Sequence, residues 1–414
     1  MHGTSTLALG AGLLILAAPA AAQGPVTFDE ALALGPRSPA ARVPEQELAA
    51  RAAGDEGMGG TAQATTVTLM PGAVLAPDQE QGFEAQLNAT QGWNLADLGG
   101  ARRTAAERER SALSAQVRAA ALRARLEAAS GWIELATVEA LERELEEATA
   151  IAATWLERAQ RAADAGVVEG AYLESIRADQ ALLAQRRIDL EGERTEAGLR
   201  LALAIDRSPR PPLTTAGPLP RPTLPPPRAV RARIATLDDL PEVAVRRLAA
   251  SAARAREAEA SAGYAPILSV GAQLEHSYPD GWVLYGIVGL QLSTFGQERR
   301  AVSQAAASAA REEAELEVAR ATARHDLEEA MHDVAHRREQ LRVLEATLIP
   351  ALEALTARRA RALEAGEGTV FEWLEARRRL VDANVDRTRV RGAEAWASVR
   401  LWLLLAELAE GRAS

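Results

Sequence analysis

The stretch that decides the fold runs Phe83-Glu84-Ala85-Gln86-Leu87-Asn88-Ala89-Thr90 and continues through Trp93-Asn94-Leu95-Ala96-Asp97-Leu98-Gly99-Gly100. Its first part alternates. Phe83, Ala85, Leu87, Ala89 and Trp93 share one face of a strand, and Glu84, Gln86, Asn88 and Thr90 share the other. Its second part switches period. From Leu98 to about Asp164, residues Leu113, Val117, Ala120, Ala124, Ala128, Gly131, Leu135, Val138, Leu141 and Leu145 recur at intervals of three and four, the spacing of one helix face. At 1.5 Å per residue such a helix is on the order of 100 Å long. No globular core needs a rod of that length. Many seam positions are alanine or glycine, which lets neighbouring helices approach closely, whereas a lone two-stranded coiled coil wants larger core residues.

The pattern occurs twice. Leu268, Val270, Ala272 and Leu274 alternate with Ser269, Gly271, Gln273 and Glu275, while Leu284, Val288, Leu290 and Leu292 form a third apolar face. Val67 and Leu69, opposite Thr66 and Thr68, form a weaker fourth. The rods end in matching signals, Ala165-Gly166-Val167-Val168 and Ala365-Gly366-Glu367-Gly368, 200 positions apart. Glycine there supplies the left-handed residue that closes a helix and reverses the chain. One hairpin arm returns through Leu173 to Leu203 and the other through Val370 to Leu408. The first half starts at Thr27-Phe28-Asp29-Glu30, where Thr27 and Glu30 predict a capping box, and the second at Thr236-Leu237-Asp238-Asp239. Between them, Pro209 to Pro227 holds nine of the twenty prolines and cannot be helical. The expected organisation is a leader over 1–22, a first repeat over 23–208, a proline-rich linker over 209–228 and a second repeat over 229–414.

Composition narrows the function. The 414 residues are 48% hydrophobic but only 4% aromatic, and alanine, leucine, arginine and glutamate favour long helices. The absence of cysteine excludes disulfides, thiolate metal sites and cysteine nucleophiles. There is no lysine, so all 47 basic residues are arginine and no phosphate-loop lysine exists. A net charge of -10 argues against nucleic acid. Leu7 to Leu16, followed by Pro19 and Ala20-Ala21-Ala22, predicts a secretory signal peptide cleaved before Gln23. No later apolar run approaches the roughly twenty residues of a transmembrane helix, so a membrane span must be built of strands. Ten-residue segments of period two, apolar on one face and polar on the other, are what a transmembrane barrel requires. Turn residues bound them at Pro77-Asp78-Gln79 and Tyr278-Pro279-Asp280-Gly281, and Trp93, Tyr264, Tyr278, Trp282 and Tyr285 cluster near the strand ends as an aromatic girdle would. Four strands cannot close a barrel, so other chains must contribute strands. Surface hairpins on a soluble helical protein are the alternative.

The order of these segments resembles the TolC-type outer membrane efflux proteins over nearly the whole mature chain. Thr27-Phe28-Asp29-Glu30-Ala31-Leu32, the strand exits Trp93 to Gly100 and Leu292-Ser293-Thr294-Phe295-Gly296, the arginine pairs Arg102-Arg103 and Arg299-Arg300, and the two Ala-Gly tips carry the resemblance. It implies a mainly α chain with a small β part. Long antiparallel hairpins form a periplasmic α-barrel, and four strands per chain contribute to a trimeric twelve-stranded outer-membrane β-barrel. It further implies a homotrimer in the outer membrane of a Gram-negative-type cell, extending into the periplasm. Such a passive exit duct docks on a periplasmic adaptor (membrane fusion) protein and an inner-membrane pump or ABC exporter, without a cofactor. An exported helical-hairpin structural or adaptor protein without a pore is the competing reading.

Site residues follow from the same frame. Phe83, Ala85, Leu87, Ala89, Leu268, Val270 and Leu290 are the expected lipid-facing positions. Glu372 and Glu375, at i and i+3 after the second tip, match an acidic pair that in the family rings the periplasmic mouth. Gly166, Val167, Gly366 and Gly368 mark tips that would meet the adaptor. The family's mouth latch places a tyrosine and an arginine where this chain has Leu363 and Gly368, so closure is expected to use other residues, such as Tyr172, Glu174 or Arg177. His325, His332 and His336 share a helical stripe; His332 and His336 have the spacing of a metal pair, but the stripe is read as a solvated face. No nucleophile elbow, His-Glu-x-x-His or phosphate loop occurs, and no enzyme activity is expected.

Overall fold

A computed structural model describes residues 24–55, 65–74, 82–166, 170–277, 281–292 and 296–410. The expected leader, Val167, the turns Pro77-Asp78-Gln79 and Tyr278-Pro279-Asp280, and Ser293-Thr294-Phe295 lie outside the described residues. In chain order the first half holds β1 (Val26–Thr27), α1 (Phe28–Leu34), α2 (Pro39–Asp55), β2 (Thr66–Val74), β3 (Gly82–Asn94), α3 (Leu98–Asp164) and α4 (Gly170–Ala204). After β4 (Thr215–Ala216), the second half holds α5 (Pro227–Arg233), α6 (Pro241–Gly263), β5 (Ile267–Ser277), β6 (Gly281–Gln291), α7 (Gln297–Val343), α8 (Ile349–Glu364) and α9 (Val370–Glu410). Both halves therefore run helix, strand pair, long helix, return helix.

The step from strand to rod has a local cause. Asp97 caps α3 by accepting from the Gly100 backbone N–H at 2.8 Å, and its carboxylate lies so close over Gly100 that a Cβ there would sit 2.1 Å from it. Asn94 holds the exit by donating to the Ala262 carbonyl at 3.1 Å and accepting from the Ala96 N–H at 2.8 Å. At the other end, Gly166 and Gly366 adopt left-handed φ values of 68° and 75°. At Gly366 two bonds close the helix, Glu367 N–H to the Ala362 carbonyl and Gly366 N–H to the Leu363 carbonyl, at 2.9 and 3.1 Å.

Rod α3 is unbroken over 67 residues. Its lower stripe is buried as the spacing predicts, through Ala124, Ala128, Gly131, Leu135, Val138, Leu141 and Leu145. In its first third the buried stripe is instead Ala112, Ala115, Ala119 and Leu122, with Leu113, Val117 and Ala120 half-buried. There the rod packs on α2 and α6 rather than α4, so a different face turns inward. Trp132 anchors the middle. It is fully buried with Val26, Leu135, Leu201 and Val399, its Nε1 donates to the Val26 carbonyl at 2.7 Å, and the Phe28 ring meets it edge-on at 5.5 Å. A second core joins Leu327, Ala330 and Val334 of α7 to Leu401, Leu405 and Leu408 of α9 and Val243 of α6.

Three local expectations are corrected. Thr27 caps α1 through the Glu30 N–H at 3.2 Å, but Glu30 pairs with Arg207 rather than completing a capping box. The second half does not start on an α-helix at Thr236: a 3-10 turn spans Ile234–Asp239, and α6 follows Leu240 without a side-chain cap. There Asp238 binds Arg320 at 2.8 Å instead. The second rod is also not one α-helix, because a π-turn at Leu344–Leu348 separates α7 from α8. Pro350 explains the break, since it lacks a donor and its ring crowds the carbonyl four residues back. In the linker, Thr215–Ala216 pairs in parallel with Val26–Thr27, and α5 begins on Pro227, where a missing N–H is harmless.

Candidate functional site

The four long strands form one antiparallel sheet in the order β2-β3-β5-β6. The halves meet at its centre, where β3 pairs with β5. Register then sorts the side chains. Leu69, Leu87, Leu274 and Leu284 lie in one cross-strand row, and Trp93, Leu268 and Leu290 in another. Val270 and Val288 share a third row with Gln91, and Ala85 shares a fourth with His276 and Trp282. All these residues are on one face, because direct partners project to the same side. Leu69, Leu284, Val288 and Leu290 are 65%, 70%, 77% and 58% exposed, far more apolar surface than a folded chain leaves bare without a partner phase. The opposite face carries Thr68, Asn88, Gln273 and Tyr285 in one row and Met70, Gln86, Glu275 and Val283 in the next. From Ala85 to Trp93 is about 27 Å along the strand, close to the height of an outer-membrane apolar band before tilt. Trp282, in the row of Ala85, and Trp93 stand at the two ends of that span.

Gln91 interrupts the apolar face, and it is hydrogen-bonded to Thr65 at the sheet edge. Gly271 sits where a Cβ would approach the Ala89 carbonyl at 2.3 Å, so the central strand pair needs a glycine there. The outer edges of β2 and β6 have no strand partner among the described residues. No helix among the described residues is long and apolar enough to cross a membrane.

At the far end of the hairpins the acidic pair is placed on the first turns of α9. Glu372 and Thr369 form a reciprocal capping box at 3.3 and 3.4 Å, and Glu372 also pairs with Arg359 at 3.3 Å. Glu375 pairs with Arg379 at 2.5 Å. Both glutamates are exposed, each beside an arginine. Among the described residues Glu174 and Arg177 make no polar bond to the second hairpin, whereas Tyr172 packs against the apolar cluster that holds Val370, Trp373 and Leu374 of α9. Arg177 binds Glu174 and Gln160 within the first hairpin at 2.7 and 3.0 Å, and burial pushes the Tyr172 hydroxyl above its usual range.

The most buried of the polar links between the hairpins lies at Asp179. Asp179 of α4, 4% exposed, accepts from Arg377 and Arg378 of α9, both at 2.8 Å. Arg377 also donates to the Ala148 carbonyl of α3 at 2.5 Å. Burial pulls the Arg377 guanidinium below its usual range, and Asp179 opposes that pull. Below the pair, the Trp155 and Trp373 rings meet at 4.2 Å with a 40° tilt, with Ile176, Leu173 and Val370 around them. The signal was present: Asp179 interrupts the stripe Leu173, Ile176, Leu183, and Arg377 interrupts Val370, Trp373, Leu374, Val381. A charged residue inside an apolar stripe implies a charged partner from another element.

Among the described residues no group of three or more His, Asp or Glu could hold a metal ion. No protein-family model and no curated protein sequence matches the chain. Solved structures do. The chain is similar to the outer-membrane channel OprN, with a TM-score of 0.77 at 16% identity over 91% of this chain and 89% of that one. It is similar to the Campylobacter jejuni CmeC outer membrane channel, with 0.77 at 13% over 92% and 85%. The outer membrane protein VceC of Vibrio cholerae gives 0.74 at 14% over 92% and 95%. At such identities the likeness is one of fold: the chain has the fold of these outer-membrane channels, as its resemblance to the TolC type implied.

Proposed function

We propose that three copies of this chain form an outer-membrane channel-tunnel. It would be the passive exit duct of a tripartite efflux pump or a type I secretion system, extending from the outer membrane of a Gram-negative-type cell into the periplasm. The observation that carries this reading is the four-stranded sheet with one exposed apolar face and two edges that have no strand partner among the described residues. Such a sheet needs lipid against its face and like strands at its edges. Three sheets would close twelve strands, with the Thr68, Asn88 and Gln273 face lining a polar lumen. Phe83, Ala85, Leu87, Ala89, Leu268, Val270 and Leu290 would then face lipid.

The hairpins would continue the duct. Their tips at Gly166, Val167, Gly366 and Gly368 would receive a periplasmic adaptor, which in turn links an inner-membrane pump or ABC exporter. Glu372 and Glu375 would ring the mouth three times over. Their pairing with Arg359 and Arg379 lowers the net field of that ring, so the selectivity it confers on cations is moderate. Closure would rest on the Asp179–Arg377–Arg378 joint rather than on the Leu363 and Gly368 positions.

Conductance of the purified protein in planar lipid bilayers tests the reading. The duct predicts long-lived, cation-selective openings, and Glu372→Gln with Glu375→Gln should reduce their selectivity. Openings indifferent to the double change would keep the duct and remove the ring. A soluble monomer with no openings would return the chain to a helical rod without a pore. The sheet is checked separately by Leu87→Arg against Asn88→Arg. The first should impair membrane assembly by about 2–4 kcal/mol near the midplane and the second should be tolerated.

A further inference from the structure

On α7 the residues Leu327, Ala330 and Val334 are buried against α9 and fix one face of the helix. His332 and His336 stand on the opposite face, exposed and one turn apart. Their rings are parallel to within 8°, with centroids 5.8 Å apart. Beyond that mutual contact, neither ring has a hydrogen-bond or ion-pair partner among the described residues. Between Asp326 and Glu339 the helix carries five carboxylates against two arginines. Several of these charges are already engaged. Glu329 and Asp326 pair with Arg400, Glu339 with Arg342, and Arg338 with Glu394, while Arg337 donates to Gln340. Glu328 and Asp333 have no ion pair among the described residues and Arg337 is bonded only to a neutral amide, so the charge left over around the two rings is negative by one.

We infer that His332 and His336 form a two-ligand site for a divalent transition-metal ion of the copper, nickel or zinc class. Imidazole nitrogens suit these ions, and an i, i+4 histidine pair on a helix presents two of them on one side. The helix is clamped from behind, so the backbone spacing is fixed before the ion arrives. The side-chain torsions of each ring remain free to aim a nitrogen at a common point, since neither ring is held by another partner among the described residues. Water completes the coordination, since no third protein ligand converges there among the described residues. His325 lies seven residues from His332, about 10 Å along the axis, and does not take part. Copper should bind most tightly and zinc and nickel less so, following the order for nitrogen ligands.

Titration calorimetry of the full-length chain in detergent, with nickel(II) as the probe, tests this directly and does not depend on pore opening. The expected result is one ion per chain. His332→Ala and His336→Ala should each weaken binding by about a hundredfold, because the second imidazole acts at high effective concentration once the first is engaged. His325→Ala should leave the affinity unchanged. Absence of nickel binding in the parent chain, equal binding in the His332→Ala and His336→Ala variants, or an equal loss in His325→Ala would overturn the assignment. Since the readout is binding alone, either result leaves the channel reading where the bilayer experiment puts it.

Discussion

The two hairpins share an order of elements and a spacing of 200 residues between their tips, yet they are packed differently. Rod α3 touches α1, α2, α4, α6 and α9, and it buries side chains along almost its whole length. The second rod touches chiefly α6 and α9. Among the described residues of α7 and α8 only Ala309, Leu327, Ala330, Val334 and Ile349 are buried. The contrast is plain at corresponding positions, where Trp132 is fully buried and His332 is exposed. Leu145 is 2% exposed, while Glu345 forms an open ion pair with Arg391 at 2.6 Å. The second rod also breaks at Leu344–Leu348, where Pro350 forbids a regular turn. A repeated sequence pattern thus produced one central rod and one flanking rod. Burial was decided by neighbours, not by the repeat.

The largest expected effect lies where the two hairpins meet. Asp179→Ala leaves Arg377 buried without its anion, a change of about 3–5 kcal/mol, whereas Glu375→Ala removes an exposed pair and should change stability by under about 1 kcal/mol. Thermal melting of both variants in detergent checks the ordering; equal melts would mean that the joint is not a structural link between the hairpins.

Next comes the core itself. Leu141→Ala in the first rod removes a side chain 1% exposed and should destabilise by about 2–5 kcal/mol. Its counterpart Leu341→Ala removes a half-buried side chain and should destabilise by about 1 kcal/mol or less. Similar losses in chemical denaturation would show that the second rod is as central as the first.

The smallest effect is a pH dependence, and it too should be unequal. Glu109 in the first half is largely buried. That burial alone would raise its carboxyl, but Arg256 and Arg51 override it and hold the group below its ordinary 4.5. Asp238 in the second half is held below its ordinary 3.8 chiefly by its hydrogen bond to Arg320. A depressed carboxylate contributes stability above its unfolded value and loses it as pH falls through the folded one. Acidification below 4.5 should therefore destabilise the chain, and Glu109→Gln should flatten that dependence more than Asp238→Asn. The reason is exposure: the Glu109 side chain is 14% accessible and that of Asp238 is 44%, so water screens the second pair more. Melting temperatures from pH 7 down to about 2, which spans the unfolded and depressed values of both groups, decide it, and the reverse order would place the better-shielded pair in the second half.

Much of the molecule could be read from residue order. Alternation at Ala85, Leu87 and Ala89 is a property of a few adjacent residues, and so are the glycine tips and the Asp97-to-Gly100 cap. Period, cap and turn act over one or two turns of chain, which is the range a sequence displays. The missed features act across the fold. Asp179 finds its arginines 198 and 199 positions away, and no local pattern says which distant helix will supply them. Glu30 had two possible partners, a nearby N–H and a distant Arg207, and the ion pair was formed. The acidic pair at Glu372 and Glu375 was legible as charge, and so was the i,i+4 partner Arg379, but Arg359 reached Glu372 only because α8 and α9 became neighbours.

By itself, then, the sequence determined where the chain is strand, where it is rod, where it reverses and that it does so twice. Backbone sterics and hydrophobic period set these over short distances. Only the tertiary structure decided that β3 and β5 join the halves, so that the alternating faces of the four strands line up across one sheet. It also decided which rod is central and which charged groups are buried together. Those outcomes depend on register and on helix faces selected by packing, quantities that exist only once distant segments share the same space.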